Sequence, residues 1–329
     1  MNKRFNLWTA ATMVENKDYL NTRKVNIENN LHPWFITGYS DGESSFSIRL
    51  RSSPHSGLGI HISIVYSIGA EINSENKKLL KSVKYYFEEK GSISKCGNMY
   101  SYEVSSIKKL KIIRKHFENF PLQTTKMFYF QLWCQVMDMI ENKDHLKKEG
   151  VLKILSIKSV FPKGLSKVVI KSYPDIVPCS KPTIEFCRKE INPYWITGFV
   201  QADGTFGLNW TKQKRMVLGY TCQPQFRITQ HKRDLILLKR IIKTLGCGNL
   251  VKPSISRNEY NISVGNIKDL SEIIIPFFKK YSLYGAKLLD FNDFFKGICI
   301  IKKKEHLTIK GLKQLKILAY HMNTYRKWK

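Results

Sequence analysis

The sequence predicts an α+β protein made of two copies of one unit, each running helix, hairpin, helix, hairpin, helix. Three observations predict it. The stretch "PWFITGYSDGESSF" at Pro33 returns as "PYWITGFVQADGTF" at Pro193, an offset of 160 (193 − 33) at which Ile36, Thr37, Gly38 and Phe46 meet Ile196, Thr197, Gly198 and Phe206 without a gap. The likeness continues downstream at an offset of 161, where "NFPLQTTK" ending at Lys126 parallels "KYSLYGAK" ending at Lys287, and "KDHLKKEGVLKIL" around His145 parallels "KEHLTIKGLKQLKIL" around His306. Between the repeated segments, apolar spacing alternates between strand and helix periods.

Each unit opens on a helix, because Pro33 and Pro193 stand just inside a helix start, where a missing N–H leaves nothing unpaired, after His32 and the favoured N-cap residue Asn192. "SFSIRLR" then sets Phe46, Ile48 and Leu50 against Ser47, Arg49 and Arg51, and "GIHISIVYSI" alternates again, which predicts two strands. "SENKKLLKSVKYYFEEKG" has helical spacing. Two short strands follow around "GSISKCGNMYSYEVS", then a helix from about Thr125 and a final helical segment after His145; His145 and His306 themselves stay unassigned. The units span residues 30–158 and 191–329, with an N-terminal extension at 1–29. Residues 159–190, which carry four prolines, read as a linker with one short helical turn.

Composition narrows the partner. The 329 residues hold 55 Lys and Arg against 26 Asp and Glu, a formal net charge of +29, so a polyanion is expected: nucleic acid first, an anionic membrane surface second. No apolar run is long enough to span a bilayer, so no membrane partner is expected. The seven cysteines include no C-x-x-C pair or His partner at zinc spacing and read mostly as small core residues in a reducing compartment. No phosphate-binding glycine loop is present. The N-terminus carries no import address, since Glu15 and Asp18 interrupt it, and heavy use of Lys, Asn, Ile, Phe and Tyr suits synthesis inside an organelle.

Gly38 and Gly42 lie on one helical face, as do Gly198 and Ala202. Small residues at that spacing allow two helix backbones to approach closely. If the two copies pack there, Glu43 and Asp203 arrive together at the C-terminal ends of both helices, where the macrodipole disfavours anions. For one copy alone "SDGE" is also ordinary turn chemistry; the repetition favours a cluster of hard oxygen ligands that suits Mg2+, with Mn2+ or Ca2+ as substitutes.

These paired stretches resemble the motifs of the LAGLIDADG homing endonucleases, in the single-chain, two-motif form encoded within fungal and other organellar introns. The likeness covers nearly the whole chain after residue 30, including the linker segment "FPKGLSKVVIKSYPDI". Two departures stand out: Gly42-Glu43-Ser44-Ser45 replaces the commoner Ala-Glu-Gly-Ser, and Asp203 stands where relatives often carry Glu. The resemblance implies two pseudo-symmetric αββαββα repeats packed through the motif helices, with antiparallel sheets forming a DNA-binding saddle. It also implies a metal-dependent double-strand break with 3′ overhangs in a long asymmetric target, made by a monomer in the mitochondrion.

On that reading Glu43 and Asp203 are catalytic metal ligands, helped by the backbone carbonyls of Gly42 and Ala202. Lys126 and Lys287, matched across the repeats, are expected to face the phosphates at the cleavage centre, with a solvated lysine as the other reading of each. The polar strand faces offer Ser47, Arg49, Arg51, His61, Ser63 and Ser67 in the first half and Asn209, Thr211, Gln223, Gln225, Arg227 and Thr229 in the second for base contacts in the major groove. Lys212, Lys214 and Arg215 are expected in a hairpin loop against phosphates. For each residue alone, a solvated strand face is the alternative. Two other functions compete: a maturase that binds its host intron RNA, and a nonspecific DNA-binding module.

Overall fold

The computed structural model describes residues 31–53, 58–183, 190–215, 218–254 and 256–326. The N-terminal extension and part of the linker therefore lie outside the described residues. Each half is a four-stranded antiparallel sheet backed by helices. The first runs α1 (Pro33–Glu43), β1 (Ser44–Ser52), β2 (Ile60–Glu71), α2 (Ser74–Tyr86), β3 (Ser92–Cys96), β4 (Met99–Val104), α3 (Ile107–Asn119), α4 (Lys126–Glu141) and α5 (Lys148–Ser159). A short linker helix, α6 (Lys167–Ser172), precedes the second half: α7 (Pro193–Asp203), β5 (Gly204–Lys212), β6 (Tyr220–His231), α8 (Leu235–Leu245), β7 (Asn249–Val251) and β8 (Glu259–Val264). It is completed by a helical stretch, α9, made of Ile267–Asp269, a π-turn at Leu270–Ile274 and Ile275–Lys280, followed by α10 (Gly285–Lys302) and α11 (Ile309–Tyr320). Strand order is β1-β2-β4-β3 in one sheet and β5-β6-β8-β7 in the other.

The motif helices begin and end where the sequence places them. Pro33 and Pro193 occupy the first turns, and the His32 and Asn192 side chains accept from the Trp34 and Tyr194 N–H groups. Each helix stops at its acid, because the next residue is already extended. α3 and α9 add one helix per half ahead of the lysine-bearing helix, beyond what the pattern predicts. In α3 the buried apolar residues are Leu110, Ile113 and Phe117, with His116 buried beside them.

Each half has its own apolar core, between one face of its sheet and its helices. Phe46, Tyr66, Phe117 and Trp133 centre the first, and Phe206, Phe226, Phe278 and Phe294 the second. The halves join through α1 and α7. A Cβ built on Gly38 would stand 2.0 Å from the Trp195 carbonyl oxygen, and one on Gly198 would stand 2.1 Å from that of Phe35. Only glycine permits that approach. Side chains also cross the seam: Trp34 packs on the second core, Ala202 and Tyr284 on the first.

Candidate active site and nucleic-acid interface

At the C-terminal ends of α1 and α7 the seam stays tight, since a Cβ on Gly42 would lie 2.1 Å from the Ala202 Cβ and 3.2 Å from Asp203 Oδ2. Glu43 and Asp203 are therefore neighbours. Glu43 is exposed and Asp203 half-buried. Surrounding protein, and then the nearby Asp203 charge, raise the pKa of Glu43, while Lys126 and Lys287 pull it down. Burial likewise raises Asp203, opposed by Lys126 and by the Gln230 amide, which donates to Asp203 Oδ2 at 2.6 Å.

Both lysines turn toward the motif-helix ends rather than outward. Lys126 Nζ donates to the carbonyl oxygens of Ser40 (2.8 Å), Gly42 (3.2 Å) and Ser44 (2.6 Å). Lys287 Nζ donates to the Gly204 carbonyl at 2.6 Å. A cation at the start of its own helix is poorly placed, but the ammonium reaches carbonyls at, and just beyond, the negative end of another helix. Neither lysine is a solvated surface residue. Burial lowers both pKa values, that of Lys126 to about 8 against the pull of Asp41, Asp203 and Glu43.

Asp41, two residues before Glu43, is a site-building residue that motif reading overlooks. Its buried carboxylate accepts from the Gln123 N–H (2.8 Å), the Thr124 N–H (3.2 Å), the Thr124 hydroxyl (2.6 Å) and the Trp195 indole N–H (2.8 Å). Burial pushes its pKa up to about 6 while those donors oppose the shift. It ties the segment before Lys126 to the motif helix. In the second half Gln201 does the same, its Oε1 accepting from the Tyr284 N–H at 3.0 Å. Thr37 and Thr197 repeat the pattern one turn earlier by donating to the carbonyls of Phe120 and Tyr281. These threonines belong to the repeated "ITG", so the repeat itself was their signal.

Among the described residues no three or more His, Cys, Asp or Glu side chains gather closely enough to hold a metal ion. The donor set at the seam is two carboxylates, beside a Gly42 carbonyl that already accepts from Lys126 Nζ at 3.2 Å. It fits a hard cation that keeps most of its shell for water and phosphate oxygens, as Mg2+ does; the carboxylate pKa values are raised first by the surrounding protein, and at Glu43 next by the Asp203 charge, and a bound cation would offset both. Beside the seam opens a cleft of about 330 Å³ whose lining includes Gly42, Lys126, Asp203, Gln230, Arg233 and Asp234.

The predicted strand-face residues share faces as alternation requires. Arg49 pairs with Ser63, Arg51 with His61, and Ser67 with Ser45, while Ser47 stands opposite Val65, which puts an apolar residue among them. Asn209 pairs with Gln223, Arg227 with Thr205 and Ser263, and Thr229 with Asn261; Gln225 and Thr211 lie on the same side. Arg49 makes paired bonds from its guanidinium to the Glu103 carboxylate, which use two of its five N–H groups. One expectation needs correction, at Lys212. Lys212 ends strand β5 opposite Tyr220, so only Lys214 and Arg215 belong to the connection. In the second sheet Gln225 accepts from Asn209 and Arg227 and donates to Ser263 Oγ, a network that fixes the orientation of all four. His145 and His306 sit in matching single turns, Asp144–Leu146 and Glu305–Leu307.

The LAGLIDADG endonuclease family model matches residues 36–137 and 196–298, one match per half. The chain belongs to that family. Among curated relatives of this LAGLIDADG protein, a probable intron-encoded endonuclease 3 of Neurospora crassa is 30% identical over 322 residues, covering 95% of this chain and 60% of that one. A probable intron-encoded endonuclease 2 of the same fungus is 33% identical, covering 87% and 64%. The chain thus spans about three fifths of the length of these relatives. The LAGLIDADG homing endonuclease I-SmaMI bound to cleaved DNA superposes with a TM-score of 0.86 at 34% identity over 91% of this chain and 99% of its own. The same enzyme has been solved on an uncleaved DNA target in the presence of calcium ions. I-GzeII in complex with its DNA target gives a TM-score of 0.82 at 31% identity, over 91% of this chain.

Proposed function

We propose that this chain is a homing endonuclease of fungal mitochondrial introns, cutting both strands of a long asymmetric DNA site as a monomer and leaving 3′ overhangs. The observation that carries the reading is the meeting of Glu43 and Asp203 at the paired ends of α1 and α7, flanked by Lys126 and Lys287, in a chain with two polar sheet faces. Because the faces differ residue by residue, one chain can read an asymmetric sequence, whereas identical subunits demand a near-palindrome.

Glu43 and Asp203 would hold divalent cations, Mg2+ first, with the Gly42 and Ala202 carbonyls as further ligands. When bound, such ions supply Lewis acidity at the phosphate and ease formation of hydroxide from water. The chain's own groups do the rest. Lys126 and Lys287 place positive charge beside both carboxylates, Gln230 holds Asp203 in orientation, and Arg233 adds a cation at the cleft for the DNA backbone. The strand-face residues named above contact base edges; Lys212, Lys214 and Arg215 supply salt-dependent attraction.

The test is selection of cleaved DNA from a randomised library with Mg2+, run beside Glu43→Gln and Asp203→Asn proteins and an EDTA control. One asymmetric site cut by the parent and spared in all three controls supports the reading. No cutting, with tight binding to structured intron RNA, would replace it with a splicing role.

A further inference from the structure

The two lysine-bearing helices begin alike. The residue preceding α4, Thr125, makes no side-chain cap to its own helix, and neither does Tyr284 ahead of α10. First-turn N–H groups have no partner within a helix and need one from elsewhere. In α10 the opposite half provides one; in α4 the Thr124 hydroxyl takes the Lys126 N–H at 3.1 Å from its own half, and the opposite half holds the residue just before the helix. Asp234, at the start of α8 in the second half, accepts from the Thr125 N–H at 2.9 Å and from the Thr125 hydroxyl at 3.5 Å. Asn76, in the first turn of α2 in the first half, accepts from the Ala286 N–H at 3.1 Å. Thr125 and Ala286 are the residues immediately before Lys126 and Lys287.

The two contacts are the same device written with different residues. Both acceptors lie in the first turn after the long second strand of their sheet, and both are buried. Each is held from its own side: Asp234 by the Arg233 guanidinium at 3.5 Å, Asn76 by its N–H to Asn73 Oδ1 (2.7 Å) and its amide to the Glu71 carbonyl (3.1 Å). Gly285 shows how closely the Asn76 contact is fitted. Its φ is +54°, and a Cβ there would stand 2.8 Å from Asn76 Oδ1. Asp234 brings a carboxylate to the positive end of α4, whereas Asn76 brings a neutral amide to α10, so the first contact gains from the helix dipole and the second does not.

We infer that Asp234 and Asn76 are positioning residues that set each lysine-bearing helix from across the seam, so that the placement of each half's lysine is governed by the other half. A slide of α4 would carry the Lys126 ammonium off the Ser40, Gly42 and Ser44 carbonyls, and misplacement of a reacting group by about 1 Å can cost roughly 10² in rate. The consequence is specific. Removing Asp234, a residue of the second half, should injure the strand served by Lys126 of the first. The inference rests on the endonuclease reading and on each lysine serving one strand.

The experiment is single-turnover cleavage of the selected target with each strand separately end-labelled, comparing Asp234→Ala, Asp234→Asn and Asn76→Ala with Lys126→Met and Lys287→Met as strand markers. Asp234→Ala is expected to slow, by about tenfold or more, the strand that Lys126→Met slows, leaving the other strand within about twofold. Asp234→Asn, which keeps an acceptor for the Thr125 N–H, should recover most of that loss, and Asp234→Ala should add little in the Lys126→Met background. Asn76→Ala should slow the strand marked by Lys287→Met. Equal slowing of both strands, or none, in an enzyme whose lysine variants each mark one strand would overturn the cross-seam inference alone. A parent that cuts no DNA overturns the endonuclease reading, and this inference with it. Because the two acceptors are tested separately, a folding defect in one variant leaves the other to decide.

Discussion

Gly42 and Ala202 face each other so closely that a methyl group on Gly42 would stand 2.1 Å from the one already on Ala202. This contact sets how near the two carboxylates come, because each acid follows its small residue directly. One helical turn back, Gly38 touches the Trp195 carbonyl, which is backbone and cannot swing aside. Gly38→Ala should therefore cost about 3 kcal/mol or more, at or beyond the upper end of ordinary overpacking. Gly42→Ala should cost less stability but reduce cleavage more, since it wedges the acids apart. Gly265→Ala, whose nearest contact would be at 3.8 Å, is the control and should change stability by no more than about 0.5 kcal/mol. Urea unfolding of the three variants, with cleavage assays alongside, checks the order.

The carboxylates should lower the stability of the metal-free protein. Glu43 and Asp203 have folded pKa values raised above their unfolded ones, first by the protein packed around each carboxylate. The native state then binds protons more readily than the unfolded chain, so stability falls as pH rises from the unfolded pKa through the folded one. Glu43→Gln or Asp203→Asn should thus raise the thermal midpoint in EDTA at neutral pH while abolishing cleavage. The gain should vanish once pH falls well below the ordinary carboxylate value of about 4, where the parent's carboxyl is neutral in both states. A lower midpoint for either variant at neutral pH would show that the acids stabilise the seam instead.

Much of this architecture is legible in the chain because its signals are local. Pro33, Gly38 and Glu43 lie within one helix, and the alternation of Phe46, Ile48 and Leu50 needs only period two to predict a strand. The contacts that build the site are of another kind. Asp234 meets Thr125 across 109 positions and Arg49 meets Glu103 across 54, and no periodicity announces which partners such polar side chains will find. The inward turn of Lys126 is likewise invisible, because it depends on where another helix ends. α3 did have a readable face in Leu110, Ile113 and Phe117, but numerous lysines obscure it; in α9, Pro276 and the π-turn break the regular spacing.

Glu103 places a negative charge on a face otherwise suited to DNA, and Arg49 holds its pKa below the usual carboxylate range. Glu103→Gln should release Arg49 and remove one like-charge repulsion from the phosphates. Affinity for random duplexes should rise, with the slope of log K against log salt steeper by about one, while preference for the true site falls. Titrations of specific and random duplexes across a salt series separate the two effects. Unchanged preference would mean that the Arg49–Glu103 pair reads no base.

Lys126 provides a test of its role through pH. Three carbonyls accept from its Nζ, an arrangement that calls for the three donors of an ammonium. Burial brings its pKa down to about 8, so the charge is complete near pH 6.5 and largely gone by pH 9.5, as ordinary titration about that value requires. Metal hydrolysis and the ionisation of water also vary over this range, and they do so equally in a Lys126→Met protein. The informative quantity is therefore the ratio of parent to Lys126→Met rates. If the lysine acts as a cation, that ratio is large at low pH and falls toward one as pH rises through about 8. A ratio that grows through the same range would assign Lys126 as a base that accepts a proton from the attacking water, and a flat one would leave it the structural task of capping α1.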